Sequence, residues 1–433
     1  MTTAEATKDL VGRGNREGAA LFRDWFVELD NTAKTGGLSA YVFVMGSLNE
    51  ILKTFDLPVV FPEINSLQTA VRRVAHEYLE EAEDYGYSPD ICGYVKADVG
   101  SKLRGGEHPM GQIPAPSLSV LTNACNTYIK WAEIWDRMYG APTFTIDIPG
   151  TRQAGGQTWR GDPDFEADRK YVEVQLTELI TVCEQVTGKK FDIDKFREVL
   201  THANTMSRCW NRILELNRAR PSLFNALTDG TIFLGVANGF RGTEAGARYF
   251  ERLVEEMEYK AAHGIGQTIE EQYRLLFVGV PCYPIFRRFN ELFTDWGGTF
   301  VNSTYLWFAS GGTNGGFQYD LADPLASLAE GVLVSTRDAM DAMFHQNEVL
   351  ADMTEDFDID GVIYHPIKSC RTVSTGLADS RKHLTEQLGI PSLFIESDMM
   401  DRRVVSEAQM KNRIDAFFEG LASRRQALAG AEG

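Results

Sequence analysis

The sequence predicts an α/β protein: two open parallel-sheet domains of the Rossmann/flavodoxin-like kind, joined by a helical insert and preceded by a helical segment. From Tyr41 onward, short apolar runs alternate with amphipathic helical patterns, the rhythm of parallel strands whose helices cover the sheet faces. The same alternation resumes at Tyr273, after a stretch from Pro163 to His263 whose periodicity is helical throughout. The 433 residues and 43% hydrophobic content suffice for more than one core. The expected divisions are 1–37 (helical lead-in), 38–150 (first α/β domain), 151–268 (helical section) and 269–433 (second α/β domain).

In the lead-in, Leu21, Phe22, Trp25, Phe26 and Leu29 form one apolar stripe suited to docking. The first domain reads as strand YVFVM from Tyr41, a helix from Asn49 to Thr54, strand PVVFP, and a helix from Ser66 to about Glu81. Next come strand SLSVLT from Ser117 to Thr122, a helix from Asn126 to Tyr139, and strand TFTID from Thr143. The stretch SPDICGYVKADVG, Ser88 to Gly100, reads as a turn-rich loop. Residues 150–162 are Gly-rich and polar, a loop or boundary.

The helical section places Cys183 and Cys209 on apolar stripes, as small buried hydrophobes. Thr243 is a candidate N-cap, with Glu244 and Arg248 spaced for an ion pair. The second domain reads as strand YRLLFVGV from Tyr273, a helix to about Phe293 and strand GTFVNSTY. A Gly-rich turn at 311–317, a helix from Thr336 to Met353, strand GVIYH from Gly361, a helix from Leu377 to Leu388, strand PSLFIE and a final helix follow.

Lys plus Arg number 43 against 61 Asp plus Glu, a net charge of -18 with no basic block. This argues against a nucleic-acid partner. No apolar run approaches a membrane helix and no basic leader precedes a hydrophobic core, so the expectation is a cytoplasmic protein with no membrane association. P-loop, strand-linked dinucleotide, HExxH and GxSxG motifs are missing. Nucleotide chemistry would therefore come from a partner.

Six cysteines without regular spacing are not a disulfide framework. Cys125 and Cys370 each follow a predicted strand and precede a helix, where open parallel sheets bind ligands and a helix dipole favours thiolate. With Cys92 in its loop, they suit a soft-metal site such as [4Fe–4S]. Spacing alone favours scattered free thiols over a cluster site. Cys282 in VPCYP is a possible fourth ligand or a plain buried thiol, and His365 is the histidine placed to move protons or to serve structurally.

At these residues the sequence resembles the benzoyl-CoA reductase / 2-hydroxyacyl-CoA dehydratase family of ATP-dependent radical enzymes. The matching segments are FPEINSLQ from Phe61, DICGYVKADVG from Asp90, NAC-x-x-x-x-KW from Asn123, FRGT from Phe240, IDGVIYHPIKSC from Ile359 and GIPSLFIESDMMDRR from Gly389. Together they span most of the chain beyond residue 40. The resemblance implies that Cys92, Cys125 and Cys370 bind a [4Fe–4S] cluster between two α/β domains. It also implies a sister subunit of similar fold and a separate ATP-hydrolysing, electron-donating subunit or activator fed by ferredoxin.

Within the family, YVKADVG and PEIN look most like the larger cluster-binding subunit of the ring-reducing branch, which converts benzoyl-CoA or a related aryl-CoA to a cyclic dienoyl-CoA. VPCYP and HPIKSC also resemble the dehydratase branch, which acts through a ketyl radical. A non-catalytic or electron-relay sister subunit is the remaining alternative. Glu63 and His365 are the candidates for proton handling or thioester positioning, and Phe61, Tyr94 and Trp131 for the walls of an acyl-CoA site.

Overall fold

The structure, a computed structural model, describes residues 10–150, 161–267, 270–308, 316–337 and 346–431. The Gly-rich stretches at 150–162 and 311–317 lie almost wholly outside these residues, as does part of the helix expected from Thr336 to Met353. Helix α1 (Arg13–Thr35) buries Trp25, Phe26 and Leu29 of its predicted stripe. It is anchored by Trp25 Nε1 donating to the Val59 carbonyl at 3.0 Å.

The first half then runs β1 (Ala40–Val42), α2 (Asn49–Thr54), β2 (Val59–Val60), α3 (Pro62–Val71), α4 (Ala75–Tyr85) and α5 (Gly93–Leu103). A short antiparallel pair, β3 (Glu107–His108) and β4 (Gly111–Gln112), precedes β5 (Leu118–Thr122), α6 (Asn126–Tyr139) and β6 (Thr143–Ile146). Strands β2-β1-β5-β6 form one parallel sheet. Every residue of β1, β2 and β5 is buried, as expected when helices cover both faces of a parallel sheet.

The helical stretch consists of α7 (Pro163–Thr187), α8 (Ile193–Leu216), α9 (Thr228–Gly239) and α10 (Glu244–Ala262). Thr243 caps α10 by accepting from the Gly246 amide, as expected, and Cys183 and Cys209 are buried in their stripes. The FRGT segment ties this stretch to the first sheet. Arg241, only 1% exposed, pairs with Glu50 of α2 and donates to the Tyr319 hydroxyl at 2.7 Å.

The second sheet, in the order β10-β9-β7-β8, is also wholly parallel. Its chain runs β7 (Tyr273–Gly279), α11 (Phe286–Thr294), β8 (Gly298–Ser303), α12 (Thr304–Phe308), α13 (Pro324–Val332) and α14 (Gln346–Asp356). It ends with β9 (Gly361–His365), α15 (Arg371–Ser374), α16 (Leu377–Lys382), β10 (Ser392–Phe394) and α17 (Glu407–Ala431).

The two sheets and the intervening helices follow the predicted class, but several elements differ from expectation, among them the unforeseen β3–β4 pair and α12, which starts where the strand from Gly298 was expected to continue. The helix expected from Ser66 to Glu81 is two helices, broken where Arg73 adopts a positive φ of 64°. Helix α13 was not foreseen. The helix expected from Leu377 to Leu388 loosens into a π-turn over His383–Gln387.

The largest difference is that SPDICGYVKADVG is not chiefly loop: from Gly93 it is helix α5, with Cys92 at its N-cap. Two glycines disguise this helix, since glycine disfavours helix by about 1 kcal/mol relative to alanine. Both serve packing. A Cβ at Gly100 would stand 2.2 Å from the Tyr78 carbonyl oxygen of α4, and one at Gly93 would stand 2.7 Å from the Met400 side chain.

Candidate functional site

Strand polarity fixes where a site can form. The residues that follow the carboxyl ends of β1 (Val44, Met45), β5 (Ala124, Cys125), β7 (Val280), β8 (Thr304, Tyr305) and β9 (Ser369, Cys370) line one cavity of about 780 Å³. Both sheets thus turn their carboxyl ends toward the same space, the position in which open α/β sheets bind ligands.

Cys92, Cys125 and Cys370 all line this cavity. Each is the N-cap of the helix that follows it: Cys92 of α5, Cys125 of α6 and Cys370 of α15. The Cys125 and Cys370 loops touch directly, with Cys125 Sγ 3.8 Å from Thr372 Oγ1. Burial raises the Cys92 thiol well above its ordinary value, and the neighbouring Cys370 adds to the effect. Burial likewise pushes Cys370 up to about 11. A nearby cation reverses such a penalty by stabilising thiolate.

Among the described residues no group of three or more His, Cys, Asp or Glu side chains is gathered so as to hold a metal ion. The three thiols instead stand around the wall of a cavity, and as soft donors they are of the kind an iron–sulfur cluster would take.

Residues 398–403 hold two of these cysteine segments in place. Asp398 accepts from the Ser369 amide at 2.9 Å, beside Cys370, and from the Met400 amide at 2.8 Å. Met400 packs on Gly93, the residue after Cys92. Arg403 reaches Glu83 of α4 at 2.7 Å, and Glu83 pairs with buried Lys96 of α5 at 2.9 Å. Arg403 is the main reason that the Glu83 carboxyl falls to about 2.

Glu63, at the start of α3, lines the cavity and is 5% exposed. Its carboxylate accepts from the Tyr128 hydroxyl at 2.6 Å and from the Val44 amide at 3.1 Å. Burial lifts Glu63 from 4.5 to about 7, against the opposing pull of those hydrogen bonds. A carboxyl so tuned can give or take a proton near neutrality. Tyr128 is fixed in turn by stacking on Phe43, with centroids 3.7 Å apart.

His365 is fully buried and does not line the cavity. Nδ1 lies 2.6 Å from the Val280 carbonyl and Nε2 2.6 Å from Ser397 Oγ. Because a carbonyl can only accept, Nδ1 carries the proton and Nε2 accepts from the serine. Desolvation lowers the pKa of this ring, so it remains a neutral tie between β7, β9 and the segment after β10.

Cys282 is also buried away from the cavity, its Sγ 3.5 Å from Ser397 Oγ. Of the wall candidates, Tyr94 and Trp131 line the cavity. Phe61 does not; it is buried near Trp25, with ring centroids 6.2 Å apart.

The sequence reading missed Tyr128, Asp98 and Tyr305. Asp98 Oδ2 accepts from both Trp131 Nε1 and Trp135 Nε1 at 2.7 Å, which locks α6 to α5, and burial raises its pKa to about 6. Tyr128, Trp131 and Trp135 share the buried face of α6, and their spacing does not show which of them meets a carboxylate.

Sequence comparison shows which known proteins the chain is similar to. The family described as 2-hydroxyglutaryl-CoA dehydratase, D-component, matches residues 47–421. The chain is 33% identical to a benzoyl-CoA reductase subunit from Thauera aromatica, with 92% of each chain covered. It is 29% identical to the (R)-phenyllactyl-CoA dehydratase alpha subunit of Clostridium sporogenes, covering 87% of this chain and 88% of the relative. To the alpha subunit of (R)-2-hydroxyglutaryl-CoA dehydratase from Acidaminococcus fermentans it is 24% identical, covering 86% and 89%.

Proposed function

The chain belongs to the 2-hydroxyglutaryl-CoA dehydratase D-component family, and from that premise we propose that it is the cluster-binding catalytic subunit of an ATP-dependent benzoyl-CoA reductase, reducing benzoyl-CoA or a related aryl-CoA to a cyclic dienoyl-CoA. The observation that carries the reading is the placement of Cys92, Cys125 and Cys370 at three helix N-caps around one cavity. The likeness to the Thauera aromatica benzoyl-CoA reductase chain favours the ring-reducing branch over the dehydratase branch.

In this reading the three cysteines hold a [4Fe–4S] cluster, which when bound supplies low-potential single electrons. The chain's own groups do the rest. Val44, Val95, Ile134 and Val278 give the acyl group an apolar wall that excludes water. Glu63 holds or delivers a proton at its carboxyl oxygens, near pH 7. His365 acts by position, keeping the β9 end and the loop that presents Cys370 in register with β7. A sister subunit of similar fold and an ATP-hydrolysing electron donor fed by ferredoxin complete the assembly.

Product analysis tests this. The anaerobic complex should convert benzoyl-CoA to dienoyl-CoA with electrons consumed in stoichiometric amounts. Conversion of a 2-hydroxyacyl-CoA to enoyl-CoA with only catalytic electrons would replace the proposal with a dehydratase. A colourless chain whose Cys125→Ala variant leaves complex activity intact would make it a non-catalytic or relay sister subunit.

A further inference from the structure

Three phenols meet at the cavity, and their hydrogen-bond account does not close. Tyr283, fully buried after β7, donates to the Tyr305 hydroxyl at 2.8 Å. Tyr305, which follows β8, therefore has its own proton left to give. Tyr94 of α5 stands beside the pair. Its Oη is buried and completes no well-formed hydrogen bond. Tyr94 and Tyr305 line the cavity and Tyr283 lies behind them. A buried hydroxyl without a partner costs about 1–3 kcal/mol; Tyr94 Oη is such a group, and beside the Tyr305 hydroxyl at the cavity wall it calls for an acceptor from outside the chain.

The acceptor must be an oxygen that the protein does not supply. The Glu63 carboxylate, also on the wall, takes the Tyr128 and Val44 donors, and Tyr94 Oη makes no hydrogen bond to it. We infer that Tyr94 and Tyr305 donate to the acyl carbonyl oxygen of a bound thioester, with Tyr283 as the positioning residue that orients the Tyr305 hydroxyl toward the ligand. This rests on the acyl-CoA reading above and adds the point at which the thioester is gripped. Phenol donors in a water-excluded pocket strengthen as negative charge grows on the oxygen they face. The pair thus favours addition of an electron to the acyl group over mere binding of the thioester.

The test compares benzoyl-CoA with S-benzyl-CoA, a thioether of similar shape that lacks the carbonyl, as ligands of the assembled enzyme without turnover. The wild type should bind the thioester about tenfold more tightly, the effect of one to two net hydrogen bonds. The benzoyl carbonyl stretch should move to lower frequency on binding. Tyr305→Phe should lose most of both effects while leaving thioether affinity unchanged. Tyr283→Phe, which touches no ligand, should lose part of the carbonyl shift.

Unchanged discrimination in Tyr305→Phe and in Tyr94→Phe would overturn this inference alone. Equal weakening of both ligands would do the same, because it marks the tyrosines as merely structural. If the wild-type enzyme bound neither ligand, the acyl-CoA reading itself would fall, and this inference with it.

Discussion

Replacing Glu63 by glutamine should abolish a pH dependence that the fold builds into this one side chain. The amide is nearly isosteric: its oxygen can still accept from Val44 N–H, and its nitrogen can donate to the Tyr128 oxygen, which then turns its own proton away. In the unfolded chain Glu63 titrates near 4.5, whereas burial in the fold raises it to about 7. Below pH 4.5 both states hold the proton, and this carboxyl adds no penalty. Between 4.5 and 7 the unfolded chain releases a proton that the folded chain keeps, so stability falls as pH rises.

The loss is complete above about pH 7 and amounts to about 3 kcal/mol. Asp98, raised to about 6, contributes in the same window to wild type and variant alike, apart from the charge through which it raises Glu63. The difference in denaturation midpoint between Glu63→Gln and wild type should therefore shift in favour of the variant from pH 4.5 to pH 8. Difference infrared spectroscopy of wild type minus variant should show one protonated carboxyl band disappearing with a midpoint near 7. A band titrating near 4.5, or a stability difference flat across the range, would refute the argument that desolvation outweighs the two hydrogen bonds at this carboxylate.

Cys92→Ser should lower iron and sulfide content and visible absorption after anaerobic preparation while leaving far-ultraviolet circular dichroism unchanged, because serine is itself a favoured N-cap for α5. Gly100→Ala should destabilise by about 1–3 kcal/mol or more, since its Cβ would meet the Tyr78 backbone carbonyl at 2.2 Å and only separation of α4 from α5 relieves it. Gly93→Ala should destabilise as well, because the atom its Cβ would meet at 2.7 Å is Met400 Cβ, which is fixed by its own backbone; thermal denaturation of both variants beside wild type checks this.

Apolar periodicity alone located most strands and the helices with one clean stripe. Helix α6 begins and ends where its pattern does, at Asn126 and Tyr139, and β9 likewise spans Gly361–His365, because in both the buried face is set by local spacing. Helix α5 was hidden since its glycines look like turn residues until Tyr78 and Met400 are seen against them. The three cysteines were legible as strand-end and turn cysteines, and the family resemblance grouped them. No spacing could show that Asp398, Met400 and Arg403 hold the Cys92 and Cys370 segments, because those contacts join residues far apart in the chain.

The sequence by itself determined the α/β class and the two sheets, since both depend on residue type and short-range periodicity, whereas the three cysteines were grouped by the family resemblance. Only the tertiary structure decided what each polar side chain would face. Glu63 became a carboxyl tuned near neutrality, His365 a neutral tie behind the cavity, and the tyrosines at 94 and 305 donors without acceptors. Burial and hydrogen-bond completion belong to the environment that distant segments create together, and neither is a property of a residue or its sequence neighbours.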